Sequence, residues 1–543
     1  MATQLKDQLA KLYPSHQKPK DLKFTYGTAG FRTKANILDS VVFTVGILAS
    51  LRSKFLKGQT IGVMITASHN PPEDNGIKVV DPKGEMLEQT WESYATILAN
   101  VENQDELYNE IIKISSDLNI DLEIESNVII ARDSRDSGPA LTQATIDGLE
   151  TLGTKYQDFN LLTTPQLHYL VRSINTSNFG KPTEIGYFEK LSQAFKSIIH
   201  NHNNSTTTDF QKIKITIDAA NGIGGPKIQE LISNYLSEYI DFEIVNNNYQ
   251  DPQALNVGSG ADYVKTNQSL PNGINPHPLN LYSSFDGDAD RVVFYYTDSQ
   301  KNFKLLDGDK ISTLLAGFFK NLLEKITEFK DSTKIGVVQT AYANGNSTNF
   351  LTDVLKIPVV CTPTGVKHLH HEAEKFDIGV YFEANGHGTV LFSDEFIEKL
   401  SEKTPSSPNE KIAIDTIIQL SKLINQTVGD AISDLLTVLI VLFIKNWNPS
   451  NWDDAYTDYP NKLAKVIVPD RYVFKTTDAE RKLTSPNGLQ QKIDELVLKF
   501  NNGRSFVRAS GTEDAVRVYA EASTRIEADQ LSKEVCELVK NSV

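Results

Sequence analysis

The chain has 543 residues, 40% apolar and 23% charged, a composition and length that predict a soluble protein of three or four domains with more than one hydrophobic core. A formal net charge of −15 argues against nucleic acid or an anionic membrane as the main partner, and only two cysteines, Cys361 and Cys536, exclude a disulfide framework. Positive charge must therefore be gathered locally wherever an acidic ligand is held.

Residues 1–11 have the pattern of an amphipathic helix and lack the apolar stretch of a secretory signal, so the expected compartment is the cytoplasm. Tyr26-Gly-Thr-Ala-Gly-Phe-Arg32 is a glycine-flanked turn ending on an arginine, a weak signal by itself. The β-branched run Thr60–Thr66 predicts a strand, followed by Ala67-Ser-His-Asn-Pro-Pro-Glu-Asp-Asn-Gly-Ile-Lys78. Ser68 is thus a hydroxyl in a tight polar turn. A seryl oxygen is a weak nucleophile that needs a base, a metal or prior phosphorylation. No Gly-x-Ser-x-Gly elbow surrounds Ser68, and His69 is expected to point elsewhere, so a hydrolase triad is poorly supported. Phosphorylated, it would carry about −1.5 to −2 charges, which a facing metal loop would neutralise. Lys78 is a candidate proton-transfer group, because a site crowded with cations depresses a lysine pKa. A further strand is predicted at Asn127–Arg132, leading through Asp133-Ser-Arg-Asp-Ser-Gly-Pro into an amphipathic helix.

The polar stretch Asn201–Asp209 reads as a linker. Beyond it, the strand Ile213–Asp218 runs into Ala-Ala-Asn-Gly-Ile-Gly-Gly-Pro, which has neither a GxGxxG fingerprint nor a Walker lysine and is expected to be a connector to a helix near Lys227. Leu281–Phe285 predicts a strand that ends in Asp286-Gly-Asp-Ala-Asp-Arg291. Three alternating carboxylates can point at one hard cation. An EF-hand uses the same start, but its sixth position would be Arg291 rather than Gly and its twelfth Thr297 rather than Glu, and a strand-like Val-Val-Phe-Tyr-Tyr follows. Three carboxylates leave coordination positions for a phosphoryl oxygen, which suits Mg²⁺ in a transfer site.

Lys334–Gln339 predicts another strand, and Thr364-Gly365 precedes a helical stretch with His368, His370 and His371. Glu374 lies four residues after His370, but nothing nearby completes a zinc set. In 379–392, a strand would present Glu383, Asn385 and His387 on one side, a row able to orient vicinal sugar hydroxyls; a polar hairpin turn fits the same residues. Ser401–Lys411 and Asn448–Asp454 are further linker candidates. The apolar run Leu435–Ile444 is about half the length needed to span a bilayer and predicts a buried helix. The last hundred or so residues read as a small α+β domain. Its strands are expected at Lys465–Val468, Arg471–Phe474, Phe506–Arg508 and Val516–Ala522, its helices at Gly488–Phe500 and Arg525–Asn541. Within Arg508-Ala-Ser-Gly-Thr-Glu-Asp-Ala-Val-Arg517, Gly511 permits a tight turn, Ser510 and Thr512 supply hydroxyls, and the two arginines supply planar forks; the set suits a phosphate that is held and not transferred.

The serine segment, the Asp286–Arg291 loop, the Glu383–His387 segment and the Arg508–Arg517 loop, in that order, resemble the α-D-phosphohexomutase family across nearly the whole chain. Cys361-Thr-Pro-Thr-Gly-Val-Lys-His-Leu-His-His and Glu383-Ala-Asn-Gly-His387 carry a narrower likeness to the eukaryotic branch that acts on an N-acetylated amino sugar. Asn385 stands where the glucose-phosphate branch typically has serine. The resemblance implies four domains around a central cleft: three related mixed α/β domains at 1–180, 181–298 and 299–447, and a C-terminal α+β phosphate-binding domain at 448–543. It implies that Ser68 is the phosphorylated serine and that Asp286, Asp288 and Asp290, with Ser68, hold one Mg²⁺ per chain. Arg32, His69, Lys78 and Arg291 would surround the reacting phosphoryl group. Thr364, Gly365, Glu383, Asn385 and His387 would bind sugar, and Arg508, Ser510, Gly511, Thr512 and Arg517 the resting phosphate. The implied reaction interconverts N-acetylglucosamine 6-phosphate and 1-phosphate, a step toward UDP-N-acetylglucosamine, with a sugar 1,6-bisphosphate as intermediate and activator. A glucose or mannose phosphate as substrate, or a catalytically silent scaffold, are the competing readings; oligomeric state is not legible.

Overall fold

Thr60–Ile65 reads Thr-Ile-Gly-Val-Met-Ile and is buried along its whole length, as a strand covered on both faces must be. The computed structural model describes residues 2–203, 211–510 and 515–542. They divide into one unit of Met1–Leu305 with Gln419–Phe443 and another of Leu306–Ile418 with Ile444–Val543.

The first unit holds two mixed five-stranded sheets. In one, the order is Phe31–Lys34, Asp74–Val80, Thr60–Ile65, Asn127–Arg132, Lys155–Leu161. Thr60–Ile65 is parallel to Asn127–Arg132 and antiparallel to Asp74–Val80. In the other, the order is Phe303–Leu306, Val292–Thr297, Tyr282–Phe285, Ile213–Asp218, Ile240–Val245. Tyr282–Phe285 is again parallel to one neighbour, Ile213–Asp218, and antiparallel to the next, Val292–Thr297. The second unit repeats the arrangement in four strands: Ile378–Phe382 is parallel to Ile335–Thr340 and antiparallel to Gly388–Phe392. In all three sheets, therefore, a strand leaves a parallel pair, turns, and returns as its own antiparallel neighbour. The three turns are the serine segment, the aspartate loop and the Glu383–His387 segment. Such a switch of strand direction leaves the turn outside the carboxyl ends of the parallel strands, where α/β sheets receive ligands.

The C-terminal region of the second unit is a three-stranded antiparallel sheet, Asn461–Ile467, Ala515–Glu521 and Arg504–Ala509, with the helices Leu489–Val497 and Arg525–Lys540 and a small hairpin of Lys475–Thr477 and Lys482–Ser485. Its apolar core joins Val466, Val507, Val516 and Val518 from the sheet to Ile493, Leu531 and Val535 from the helices. Arg471–Phe474, expected as a strand, instead contains a 3₁₀ turn at Arg471–Val473, because the Asp470 carboxylate accepts from the Tyr472 N–H and caps it. The expected linker at Asn448–Asp454 contains a one-turn helix, Pro449–Asp453, closed by a capping box between Asn448 and Asn451. The expected linker Asn201–Asp209 overlaps the end of the helix Glu184–His202, and its remainder from 204 lies outside the described residues. Leu435–Ile444 lies in the helix Ala431–Lys445, buried nearly throughout, and no described helix is long and apolar enough to cross a membrane.

The helix Asp39–Phe55 is the spine of the first core, buried from Ser40 to Lys54. It packs on the helix Gly138–Glu150 so closely that a Cβ on Gly148 would stand 2.0 Å from the Phe43 carbonyl oxygen, and one on Gly46 would stand 2.3 Å from that of Thr145. Backbone facing backbone leaves nothing flexible to yield. Gly148→Val is expected to lower the urea midpoint by an amount corresponding to about 1–3 kcal/mol; an unchanged midpoint would contradict this account of the packing.

Candidate active site

Thr66, which follows the central strand of the first sheet, begins the serine turn. Ser68 is 1% exposed, and its backbone sits at φ +53°, a left-handed conformation that costs a residue with a Cβ roughly 1 kcal/mol or more. The turn is held there by explicit contacts. The Ser68 N–H donates to Thr66 Oγ1 at 2.9 Å, and its carbonyl accepts from Asn256 Nδ2 and from Arg135 Nη2, both at 2.9 Å. The same arginine donates to the carbonyls of Asn70, Pro71 and Asp74, and its Nε meets the buried Asp133 carboxylate at 3.0 Å. One fully buried guanidinium thus satisfies four turn carbonyls and one carboxylate, which is what a planar five-donor fork can do and a lysine cannot.

Asp286, Asp288 and Asp290 follow the strand Tyr282–Phe285, and one carboxylate oxygen from each lies within 4.8 Å of the others. All three are buried. The glycine-rich turn after Ile213–Asp218, expected only as a connector, is the bed of this loop. The Ile223 N–H donates to the Gly287 carbonyl at 3.1 Å, and a Cβ on Gly222 would stand 2.4 Å from that oxygen. The segment 419–443 backs the loop from another side, the Ala431 N–H donating to the Ala289 carbonyl at 3.0 Å.

Ser68 Oγ donates to Asp286 Oδ2 at 2.7 Å and lies 3.4 Å from Asp290 Oδ1. The strand direction thereby brings together residues more than two hundred positions apart. Asp288 Oδ2 accepts from the Thr164 hydroxyl at 2.6 Å and lies 3.2 Å from the Thr66 hydroxyl, which donates to Asp133 at 2.7 Å, while its Oδ1 is buried without a hydrogen-bond partner among the described residues. Burial, then the neighbouring Asp290 and Asp288 charges, push the Asp286 carboxyl well above the usual carboxylate range. Three buried, mutually repelling carboxylates and an orphaned oxygen are the donor set of a hard divalent cation.

Cations ring the triad. Lys78 Nζ is 3.2 Å from Asp290 and 3.5 Å from Asp288; Arg291 Nε is 3.9 Å from Asp286 and 3.8 Å from Asp290. Lys78 departs from the expected depression of its pKa. Burial alone pulls it down, but the Asp290 and Asp288 charges outweigh that and hold it above its ordinary value. Arg32, on the edge strand, donates to Asn70 Oδ1 at 3.3 Å, and burial followed by the Arg291 charge lowers its pKa. His69 is pushed down to about 2 by burial, then by Arg291 and Arg32, so its ring is neutral. Positive groups that disfavour one another in a buried place are arranged for an anion.

The remaining predicted residues lie in the second unit. Glu383, Asn385 and His387 are not a strand row. They form the tight turn between Ile378–Phe382 and Gly388–Phe392, because Gly386 takes φ +88° and the Glu383 N–H closes onto the His387 carbonyl at 2.8 Å. The His387 N–H donates to Asn385 Oδ1 at 3.0 Å, which fixes the Asn385 amide beside Glu383. Thr364 and Gly365 precede the helix Val366–Ala373, on which His370 Nδ1 meets the Tyr381 hydroxyl at 3.0 Å; the described His/Cys/Asp/Glu groups there form no metal set. Arg508 and Arg517 are directly paired across adjacent antiparallel strands, and Lys465 pairs with Arg517 on the other side. Paired positions share one face of a sheet, and three like charges in a row are unfavourable unless an anion lies over them. Ser510 is buried beside this row; Gly511 and Thr512 lie outside the described residues. Sequence reasoning missed Arg135, Thr164 and Asn256, which hold the serine turn and Asp288. Asp133-Ser-Arg135, legible in the sequence only as part of the connector from a strand to a helix, was the one available signal, a carboxylate and a guanidinium two residues apart after an apolar stretch.

Family models match nearly end to end: the α/β/α domain I of phosphoglucomutase/phosphomannomutase over 49–108 and 98–180, domains II and III of phosphoacetylglucosamine mutase over 180–293 and 307–447, and the C-terminal domain of phosphoglucomutase/phosphomannomutase over 463–538. The phosphoacetylglucosamine mutase of Candida albicans is 60% identical over 99% of this chain and 100% of its own. A crystal structure of N-acetylglucosamine-phosphate mutase in its substrate complex, an α-D-phosphohexomutase, superposes with TM-score 0.96 at 60% identity over 98% of this chain and 99% of that one. The Aspergillus fumigatus N-acetylphosphoglucosamine mutase in complex with GlcNAc-6P and magnesium gives 0.93 at 49% identity, over 99% and 98%.

The electrostatics of the triad carry a stability consequence. Asp286→Asn removes one of three repelling charges, so the metal-free protein should melt higher than wild type, by about 1–2 °C for about 1 kcal/mol. The upward shift of the wild-type midpoint on adding a divalent cation should disappear in the variant. A variant that melts lower when metal-free, or keeps the shift, would show that the carboxylates are not arranged for a cation.

Proposed function

Because the chain belongs to the phosphoacetylglucosamine mutases of the α-D-phosphohexomutase superfamily, we propose that it interconverts N-acetylglucosamine 6-phosphate and N-acetylglucosamine 1-phosphate through a phosphorylated Ser68. The product is a precursor of UDP-N-acetylglucosamine. The observation that carries this reading is the Ser68 Oγ at 2.7 Å from Asp286, at the edge of a buried aspartate triad and among Lys78, Arg32 and Arg291. Asp286, Asp288 and Asp290, with the Ser68 oxygen, would hold one Mg²⁺, which neutralises phosphoryl charge when bound.

In the first half-reaction a sugar hydroxyl oxygen, O1 or O6, forms a bond to the Ser68 phosphorus as the seryl P–O bond breaks. The product is the sugar 1,6-bisphosphate, and Ser68 leaves with the bonding electrons and is reprotonated as the sugar hydroxyl gives up its proton. The second half-reaction returns the other phosphoryl group to Ser68. An enzyme that has lost its phosphate is recharged by the bisphosphate, which acts as activator. Lys78, which Asp290 and Asp288 hold above its ordinary pKa in the metal-free protein, is a cation next to the transferring group. Arg32 and Arg291 bring further positive charge to the phosphoryl oxygens, and neutral His69 contributes hydrogen bonding or packing without charge. Glu383, Asn385 and His387, with Thr364 and Gly365, orient the sugar through its hydroxyl and N-acetyl groups. Arg508 and Arg517, with Ser510, Gly511 and Thr512, hold the phosphate that stays in place. An arginine row reads phosphate and ignores ring orientation, so one site serves both ends of the sugar. The four domains at 1–180, 181–298, 299–447 and 448–543 divide these tasks among them, and the family models, which break at 180, 293–307 and 447–463, support that division.

Phosphorus NMR of the protein with Mg²⁺, a trace of sugar bisphosphate and N-acetylglucosamine 6-phosphate should show the 1-phosphate forming faster than any signal from glucose 6-phosphate. Ser68→Ala should abolish this transfer while phosphosugar binding persists. Turnover by Ser68→Ala would sink the serine assignment, and preferential turnover of glucose 6-phosphate would overturn the assigned sugar.

A further inference from the structure

The tip of the hairpin formed by Lys475–Thr477 and Lys482–Ser485 carries Glu480, which the proposed chemistry does not use. Its carboxylate occupies the donors that the proposed function gives to the ligand. Arg508 Nη1 donates to both Glu480 oxygens, at 2.8 and 2.9 Å. The Thr364 N–H and Oγ1 donate to the second of them at 3.0 and 2.5 Å. Two segments nearly 150 residues apart, one assigned to sugar and one to phosphate, thus converge on a single internal anion. The backbone that delivers it is strained: Asp478, Ala479 and Glu480 have φ of +54°, +52° and +67°, three successive residues with side chains in the left-handed region. Such a run persists where neighbouring contacts hold it: Arg481 donates from its N–H and Nε to the Asp478 carbonyl, both at 3.1 Å, and Thr364 and Arg508 hold Glu480. Arg508 Nε is buried without a partner among the described residues, so the guanidinium still has hydrogen-bonding capacity that Glu480 does not use.

We infer that Glu480 is an internal stand-in for the sugar phosphate, a latch that the incoming phosphate displaces from Arg508 and Thr364. The inference rests on Arg508 being the phosphate-holding arginine. A phosphate dianion carries more charge than a carboxylate and offers three oxygens in place of two, so it wins the arginine when present. When it leaves, Glu480 returns and keeps the Arg508, Arg517 and Lys465 row from standing with no counter-charge at Arg508. A reaction that must release and re-grip its phosphate once per turnover, as the two ends of the sugar exchange, is served by a grip weakened in this way. The geometry therefore makes Glu480 a positioning residue that sets phosphate affinity. With the latch closed about nine-tenths of the time, apparent affinity falls about tenfold, because only the open fraction binds.

The test uses the full-length protein with two variants, Glu480→Gln and Glu480→Ala, and inorganic phosphate as the probe. In both variants the KM for N-acetylglucosamine 6-phosphate and 1-phosphate and the competitive inhibition constant for inorganic phosphate should fall together by about tenfold. A merely structural brace would move the melting temperature and leave these constants unchanged or weaker, and that result overturns the latch. Arg508→Ala in the wild-type background separates this failure from failure of the underlying reading. If Arg508→Ala raises KM for both monophosphates while the Glu480 variants change nothing, only the latch is wrong. If Arg508→Ala leaves KM unaltered, the phosphate site itself is misassigned. In Arg508→Ala, adding Glu480→Gln should have no further effect on phosphate inhibition; a persisting gain would mean that Glu480 acts elsewhere.

Discussion

Three aspartate carboxylates buried within 4.8 Å of one another are the constraint on which the first unit is organised. Taking an ion out of water costs several kcal/mol even after relaxation, and neighbouring like charges add to it. The protein offsets this with what it places around them. The hydroxyls of Ser68, Thr66 and Thr164, the backbone N–H groups of Asp290 and Arg291, and the charges of Lys78 and Arg291 all face the triad. They come from several separate stretches of chain, so the serine turn, the helix that starts at Thr164 and the aspartate loop have to be fixed together. The glycine-rich turn at Gly222 and the segment 419–443 exist in this arrangement as supports for the loop backbone.

The serine turn, the aspartate loop and the Glu383–His387 turn solve one topological problem in the same way. A strand that is parallel to one neighbour and antiparallel to the next ends in a turn outside the carboxyl ends of the parallel strands, where its side chains project beyond the sheet. The first turn takes a strained serine, the second three carboxylates, the third a compact Glu-Asn-His group. Related sheets thus carry unrelated chemistry in equivalent places. The C-terminal sheet works differently. Its cations stand in a row across strands, Lys465, Arg517 and Arg508, where the register and not a turn sets the spacing. Glu480 is the local answer to the repulsion that such a row creates.

Much of this was legible because the motif residues carry their chemistry in short stretches. Alternating aspartates at 286, 288 and 290 point at a cation once an EF-hand is excluded, and the β-branched runs at Thr60–Ile65, Asn127–Arg132 and Ile213–Asp218 are strands within a residue of where periodicity puts them. The misreadings share one cause, the dependence on partners distant in the chain. Alternation at Glu383–His387 fits a strand or a hairpin turn, and only Gly386 with the returning strand decides for the turn. Counting nearby arginines suggested a depressed Lys78, but the groups in contact with it are Asp288 and Asp290, on another sheet. Arg135 belongs to no motif, because its worth lies in five acceptors that only folding collects.

By itself the sequence determined which residues can carry phosphoryl chemistry, since hydroxyl, carboxylate and guanidinium groups are properties of side chains and their local spacing. It also determined most of the strands and turns that present them, because hydrophobic period and glycine placement act over a few residues. The tertiary structure alone decided that Ser68 meets Asp286, that Asp288 and Asp290 face Lys78, and that Glu480 pairs with Arg508. Distance, burial and the sign of a neighbouring charge are set by segments far apart in the chain, and no local pattern encodes them.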